Sequence, residues 1–465
     1  MATAGSAKQP VAEDARAPRV TRALAEKASA LRYDDLSVAA RTIVGHCMMD
    51  WFGVTLAGAR EPLAEILAAQ IEEDGGAPQA SVVGRSNKVS IEQAALLNGA
   101  ISHALDFDDV NFAMGGHPTV PIAPAVLALS EFRHLDGRQL VESFAAGFET
   151  ECRLGELVGG SHYQHGWHST ATLGTIGAAA AVSNLLKLDA DKTAHAMGIA
   201  GTQAAGLKSV FGTMCKPLHA GRAAAIGLQA ARLAQRGFTS NPDILDVEQG
   251  FVATQSTTPD PAAALADPPG GFFLAKTLFK YHAACYLTHS SIEASNMLRR
   301  QFALQPDAIS RIELNVDPGH LRVCNIQEPN SGLEVKFSLR ATNALALLGE
   351  NTANDNLYSE ATAHRPDVRA LIDKITVQPR RAPSHTLSEV VVKLKDGREL
   401  RQAHDVGIPM TDLNAQGENL ARKFAVLAEP VIGTERAAKL AAACADLANL
   451  RDVADLMALA RERAS

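Results

Sequence analysis

The stretch HALDFDDVNFAMGGHPTVPIAPA, residues 103–125, places Asp106, Asp108 and Asp109 shortly before the dipeptide His117-Pro118. Carboxylates and an imidazole on one short connection are the equipment of acid–base catalysis. Histidine titrates near neutrality, and an aspartate can orient it or act itself once desolvation raises its pKa. Capping of helix starts explains one or two of the acids, but three acids with a histidine exceed what capping needs. The Asp/Asp/His set also raises the question of a metal; no second ligand set with a recognisable spacing stands nearby, so no metal is expected.

A second cluster, SHYQHGWHSTATLGTIGAA at 161–179, carries His162, His165 and His168 at three-residue steps, which on a helix would gather them for zinc. Gly159, Gly160 and Gly166 argue for a loop instead. His168 stands directly before Ser169 and Thr170, good capping residues, so its ring belongs at a helix start, where free amides favour an anion. The other two histidines read as solvated or structural. A third cluster, TMCKPLHAGRAAAIGLQAARLAQRGF, opens a helix with Lys216, His219 and Arg222 around its first turns. Cations there oppose the helix dipole unless a negative ligand sits beside them. Lys280 in LFKYHAACYLTHSSIEA and Lys336 in EPNSGLEVKFSLR are further cationic candidates.

Scattered groups of this kind need a scaffold to converge. At 465 residues, with 46% hydrophobic and 20% charged side chains, the chain can bury large cores and suggests two or three domains. The net charge of −7 shows no basic excess, so neither nucleic acid nor membrane is an expected partner. Six cysteines without close spacing read as reduced thiols of a cytoplasmic protein. Residues 1–19 lack an apolar targeting segment and read as a flexible tail.

From about Val20 to residue 268 apolar residues recur at helical spacing, and the Ala/Gly-rich stretch 172–206 implies helices in close approach. ALADPPGG at 264–271 is the best boundary. Alternating segments at 310–316 and 388–402 then read as strands, with Asp396-Gly397 as a two-residue hairpin turn. The helical period returns from about Gln416. The expected architecture is mainly α: a large all-helical domain from 20–268 and 410–465, and a smaller α+β domain over 269–409.

Five ordered motifs, HALDFDD with HP, GWHSTATLGTIGAA, KPLHAGRAA, KYHAACYLTH and EVKFSLRA, together resemble the MmgE/PrpD family over nearly the whole chain. That family includes 2-methylcitrate dehydratase, cis-aconitate decarboxylase and iminodisuccinate epimerase. The resemblance implies a helical domain built from both chain ends, a smaller α+β domain and a homodimer. It also implies that Asp106, His117, His168, Lys216 and Lys280 line a cleft between the domains, with Asp109 and His219 inside the same motifs. Two departures speak against the decarboxylase-like members: Val110 stands where some relatives have Thr, and no Tyr occurs between Tyr286 and Tyr358.

The residues themselves call for a polycarboxylate, since Lys216, Lys280, Lys336 and Arg222 with the helix start at His168 supply anchors for several carboxylates. The expected activity is a cofactor-independent lyase that dehydrates a 2-hydroxy di- or tricarboxylate, with His117 or His168 as acid or base and Asp106 supporting them. An epimerase of a dicarboxylate would use the same cleft, as would a cis-aconitate-type decarboxylase, and a non-catalytic polycarboxylate-binding protein would use the cations alone.

Overall fold

The computed structural model describes residues 19–462, so the expected tail lies outside the described residues except for Arg19. The helical periodicity of the first half folds as α1 (Val20–Ala30), α2 (Val38–Gly58), α3 (Pro62–Asp74), α4 (Ile91–Ser102), α5 (Thr119–Arg133), α6 (Gly137–Gln164), α7 (Ser169–Leu185), α8 (Ala190–Gly201), α9 (Cys215–Gln235), α10 (Phe251–Gln255) and α11 (Pro261–Leu265). A two-residue antiparallel ladder, β1 (Ala80–Ser81) with β2 (Lys88–Val89), interrupts them. Helix starts follow their sequence signals: Ser90 with Gln93 and Asp136 with Gln139 form reciprocal caps on α4 and α6.

Every residue of α7 is buried, as an Ala/Gly-rich helix with no polar face requires. Its neighbours approach through small residues. A Cβ on Gly147 of α6 would stand 2.6 Å from the Ala181 Cβ of α7, and one on Gly99 of α4 would stand 2.7 Å from Gly221 Cα of α9. Contacts this close are open only to glycine, and they hold α4, α6, α7 and α9 as one tight layer.

The second unit contains α12 (Tyr286–Phe302), β3 (Ile309–Val316), α13 (Gly332–Lys336), α14 (Leu339–Leu348), α15 (Glu360–Ala363), α16 (Pro366–Ile372), β4 (Ile375–Pro379), β5 (Leu387–Leu394) and β6 (Glu399–Asp405). The sheet order is β4-β3-β5-β6, with β3 and β4 parallel and the other pairs antiparallel. The expected two-residue hairpin turn is a three-residue loop, Lys395–Gly397, closed by Leu394 N–H donating to Arg398 O. Gly397 takes φ +90°, the left-handed position that such a loop needs at its end. Strand β4, ITVQP, alternates apolar and polar residues but is only five residues long and was not singled out in the sequence.

The core of the helical unit takes in Phe273, Leu274 and Phe279, while Ala283 already belongs to the second core, which also takes in Val54, Phe107 and Leu427, so the crossover runs close to Lys280. The chain then returns as α17 (Leu413–Ile432), α18 (Thr434–Ala445) and α19 (Val453–Leu459). Phe424 of α17 packs on Gly53 of α2, and Lys423 makes a fully buried ion pair with Asp50 at 2.6 Å while also donating to Phe107 O. The C-terminal helix α17 thus packs on α2 of the first unit. All six cysteines are free thiols, four of them buried. Among the described residues, no helix is long and apolar enough to cross a membrane.

Candidate active site

A cavity of about 480 Å³ opens where the start of α3, residues 103–106 after α4, the start of α9 and residues 283–285 meet α13, with His117, His168 and Lys280 outside its lining. His103, Asp106, Lys216, Cys285, Lys336 and Asp355 are among the residues that line it. Main-chain pairing brings these elements together. Val110 and Leu278 exchange two backbone hydrogen bonds of 2.8 Å, and Asn111 Nδ2 donates to Phe273 O, so the acidic loop is tied to the crossover that carries Lys280. On the other side His117 N donates to Thr170 Oγ1 at the start of α7. Gly116 makes that approach possible, since a Cβ there would stand 2.9 Å from Thr170 Oγ1 and 3.1 Å from Thr170 N.

Asp106 occupies the left-handed region at φ +51°, a conformation aspartate tolerates but that costs about 1 kcal/mol or more. It turns one carboxylate oxygen to three groups: Lys216 Nζ at 2.7 Å, Lys280 Nζ at 3.2 Å and His117 Nε2 at 3.4 Å. Lys280 also donates to the Asp106 main-chain oxygen at 2.5 Å. Desolvation opposes ionisation of Asp106, yet Lys216 and Lys280 hold its carboxyl well below the usual range. The Asp106 side chain is 52% exposed to the cavity and the Lys280 side chain only 4%, so solvent or a ligand reaches the acid more readily than the base.

Asp108 lies deeper. Both its oxygens are 3.0 Å from His103 Nδ1, and its Oδ2 is 2.9 Å from His117 Nδ1, close but off the line of a straight hydrogen bond. Burial works against its charge, and His103 and His117 overcome it, so Asp108 is a carboxylate at every physiological pH. Asp109 faces the helical interior, where it accepts from Thr119 Oγ1 at 2.5 Å and caps the first turn of α5. Burial, with Asp50 nearby, pushes it up to about 8. Asp109, expected among the substrate-binding residues, is thus a buried cap of α5 outside the cavity lining.

The histidine-rich segment departs from its expected loop form: α6 runs on to Gln164 after a break at Gly159, whose φ of +60° absorbs the interruption. His162 is buried and structural, with Nε2 2.7 Å from Thr172 Oγ1, while His165 is exposed at the end of α6. His168 is itself the capping residue of α7, buried, with Nδ1 3.1 Å from His219 Nδ1. Burial, then His103 and Lys216, lower the His168 pKa, and burial with Lys216 lowers that of His219, so both rings are neutral. One of the two facing nitrogens must carry the hydrogen. Rings of His103 and His168 stack 5.8 Å apart, and His117 meets His103 edge-on at 4.6 Å.

Lys216 stands in the first turn of α9, as expected, and reaches the cavity; Arg222 on the same helix is exposed and lies outside the cavity lining. The reason is helical phase: Arg222 is six residues beyond Lys216, about 120° round the helix from it. Lys336, at the end of α13, lines the cavity and pairs with Asp355. His103 and Asp355 were not anticipated, although His103 sits in the same short motif as Asp106.

His103, Asp106, Asp108 and His117 present ligand atoms within 4.8 Å of one another, close enough to surround a cation. The donor set does not suit one. Asp106 already faces two ammonium groups, and Asp108 faces two imidazoles, so a metal would have to displace Lys216 and Lys280 and sit in their repulsion. The positive groups converge on a carboxylate, and a carboxylate is what they suit.

Residues 22–264 match the MmgE/PrpD N-terminal domain and residues 282–448 the MmgE/PrpD C-terminal domain. The chain belongs to the MmgE/PrpD family. Within it, the chain is 29% identical over 381 residues to cis-aconitate decarboxylase of Homo sapiens, covering 79% of this chain and 78% of that protein. It is 28% identical over 472 residues to the cis-aconitate decarboxylase-like protein oryM of Aspergillus oryzae, across 95% and 97% of the two chains. Cis-aconitate decarboxylase of Aspergillus terreus is 26% identical over 485 residues, 95% of each chain. All three bear the decarboxylase name, whereas Val110 and the absence of a tyrosine between Tyr286 and Tyr358 had led to the expectation of a dehydratase.

Proposed function

We propose that this chain is a lyase that breaks a bond at the carbon next to a carboxylate of a small di- or tricarboxylate, with proton transfer carried by its own side chains and without a cofactor. The observation that carries this reading is the convergence of Lys216 and Lys280 on one carboxylate oxygen within reach of His117 Nε2. A substrate carboxylate competes with Asp106 for the two ammonium groups, and Lys336 takes a second carboxylate by the same exchange with Asp355. The ammonium groups then stabilise the enediolate-like charge that develops when the neighbouring carbon loses its proton or its carboxyl. His117, whose Nδ1 lies 2.9 Å from Asp108 Oδ2, transfers a proton through Nε2. His168, neutral beside His103, serves as the partner base or hydrogen-bond donor.

Dehydration of a 2-hydroxy acid such as 2-methylcitrate is the reaction we assign first. Among the described residues no tyrosine lines the cavity, and the Tyr358 hydroxyl is turned to Thr352 O at 2.9 Å. The relatives' names support decarboxylation of cis-aconitate as the second reading. A homodimer belongs to the same proposal and is read by light scattering.

The deciding experiment is proton NMR of the purified protein in D₂O with citrate, 2-methylcitrate, cis-aconitate, malate and iminodisuccinate, with and without EDTA. New vinylic signals that survive the chelator support a lyase, and release of CO₂ separates decarboxylation from dehydration. Deuterium entering an α-carbon with no new alkene moves the assignment to an epimerase, and silence on every acid overturns it.

A further inference from the structure

Two imidazoles share the Asp108 carboxylate, and they differ in setting. The His117 side chain is 13% exposed, whereas the His103 side chain is 0% exposed and its Nε2 has no hydrogen-bond partner. One carboxylate can balance one imidazolium, so the pair holds a single positive charge at most without a penalty. Burial holds His103 down to about 4, against the opposing pull of Asp108, which leaves its ring neutral with Nδ1–H donating to the carboxylate.

We propose that His103 is a positioning residue that acts through Asp108: by donating Nδ1–H to that carboxylate, it leaves His117 as the imidazole of the pair that gains and loses the proton, and sets how tightly His117 holds it. The donor absorbs part of the negative charge that would otherwise fall on His117. Other groups facing His117 are Asp106 at 3.4 Å, with Lys216 and Lys280 behind it, and His168 beyond the His103 ring. Lys216 and Lys280 oppose Asp106, so Asp108 is the carboxylate left to govern His117, and His103 governs Asp108.

The inference deepens the lyase reading, but its physical content is open to measurement without turnover. The test follows the His117 imidazole by ¹H–¹⁵N NMR in ¹⁵N-histidine-labelled protein, across pH, in wild type, His103→Leu, His103→Asn and Asp108→Asn. Removing the donor in His103→Leu turns the Asp108 charge fully on His117 and raises its titration midpoint by about one unit, a tenfold gain in proton affinity. Asparagine keeps an N–H near the Nδ1 position, so His103→Asn holds the midpoint within ~0.3 unit of wild type. Asp108→Asn removes the charge and lowers the midpoint. The acid limb of kcat/KM moves with the midpoint in each variant.

An unmoved midpoint in His103→Leu, or an equal shift in both His103 variants, overturns the proposal, since a role in packing alone weakens both variants without moving the titration. If His103→Leu fails to fold, Asp108→Asn decides: an unchanged midpoint refutes the relay. If wild type turns over none of the acids, the lyase reading falls while the NMR titration still decides the role of His103.

Discussion

Replacing Lys280 by methionine separates binding of the substrate from stability of the fold. The Lys280 ammonium, 4% exposed, touches the Asp106 carboxylate at 3.2 Å and the Asp106 main-chain oxygen at 2.5 Å. In the variant Asp106 keeps Lys216 at 2.7 Å, so no buried charge is orphaned, and methionine fills nearly the same volume. The cost to folding is then one hydrogen bond to a main-chain oxygen, about 1 kcal/mol. A bound substrate carboxylate loses one of two ammonium partners, and a hydrogen bond to a charged group is worth ~1.5–3 kcal/mol. At a factor of ten per 1.4 kcal/mol, kcat/KM falls ~10- to 150-fold. Because the same ammonium stabilises charge that develops during the reaction, part of the fall appears in kcat and not only in KM. Initial rates of alkene formation on the acid identified by NMR measure the first quantity, and calorimetric melting measures the second. A variant whose kcat/KM stays within about twofold of wild type while its melting point is unchanged refutes the anchoring role of Lys280.

Three further outcomes follow from the same geometry. Lys423→Met leaves Asp50 as an unpaired charge in the core, since the pair is fully buried at 2.6 Å; urea unfolding should show a loss of ~3–5 kcal/mol, and Asp50→Leu with Lys423→Met together should recover much of it. Gly116→Ala pushes the loop from Thr170 and displaces His117, so kcat falls at least ~10-fold with little change in the unfolding midpoint; retained activity would show that the loop position is not critical. Burial pushes Glu149 up to about 7, against about 4.3 for a free glutamate, so the folded chain holds a proton there that the unfolded chain has released. Stability contributed by that proton is present at low pH and is lost as pH rises from about 4.3 to 7. Glu149→Gln should flatten that fall in melting temperature, and an unchanged slope would count against it.

Much of this was legible from spacing alone, for identifiable reasons. The helix that begins near Lys216 depends on local signals such as Pro217 and apolar periodicity. Contacts that no local signal encodes were not legible. His103 lies one turn before Asp106 yet faces Asp108, because the helix ends at Ser102 and Asp106 turns left-handed. Arg222 was read by residue type as an anchor, and only its phase on α9 takes it away from the cavity. The histidines at 162 and 165 were read against the glycines around them, but one left-handed glycine at 159 lets α6 resume.

The placement of Lys280 bears on how the two units cooperate. It sits on the crossover between the helical core and the α+β core, tied by the Val110–Leu278 pairing to the loop that carries Asp106 and His117. Lys336 and Cys285 come from the second unit, whereas His103, Asp106 and Lys216 come from the first. A shift of one unit against the other therefore changes the distance between the two cationic anchors while leaving the Asp106–Lys280 contact in place. If a polycarboxylate bridges Lys216 and Lys336, its length is read by the spacing of the units. Substrates shorter or longer by one carbon should then lose kcat before they lose binding, because one anchored carboxylate suffices to bind while both are needed to hold the reacting carbon against His117.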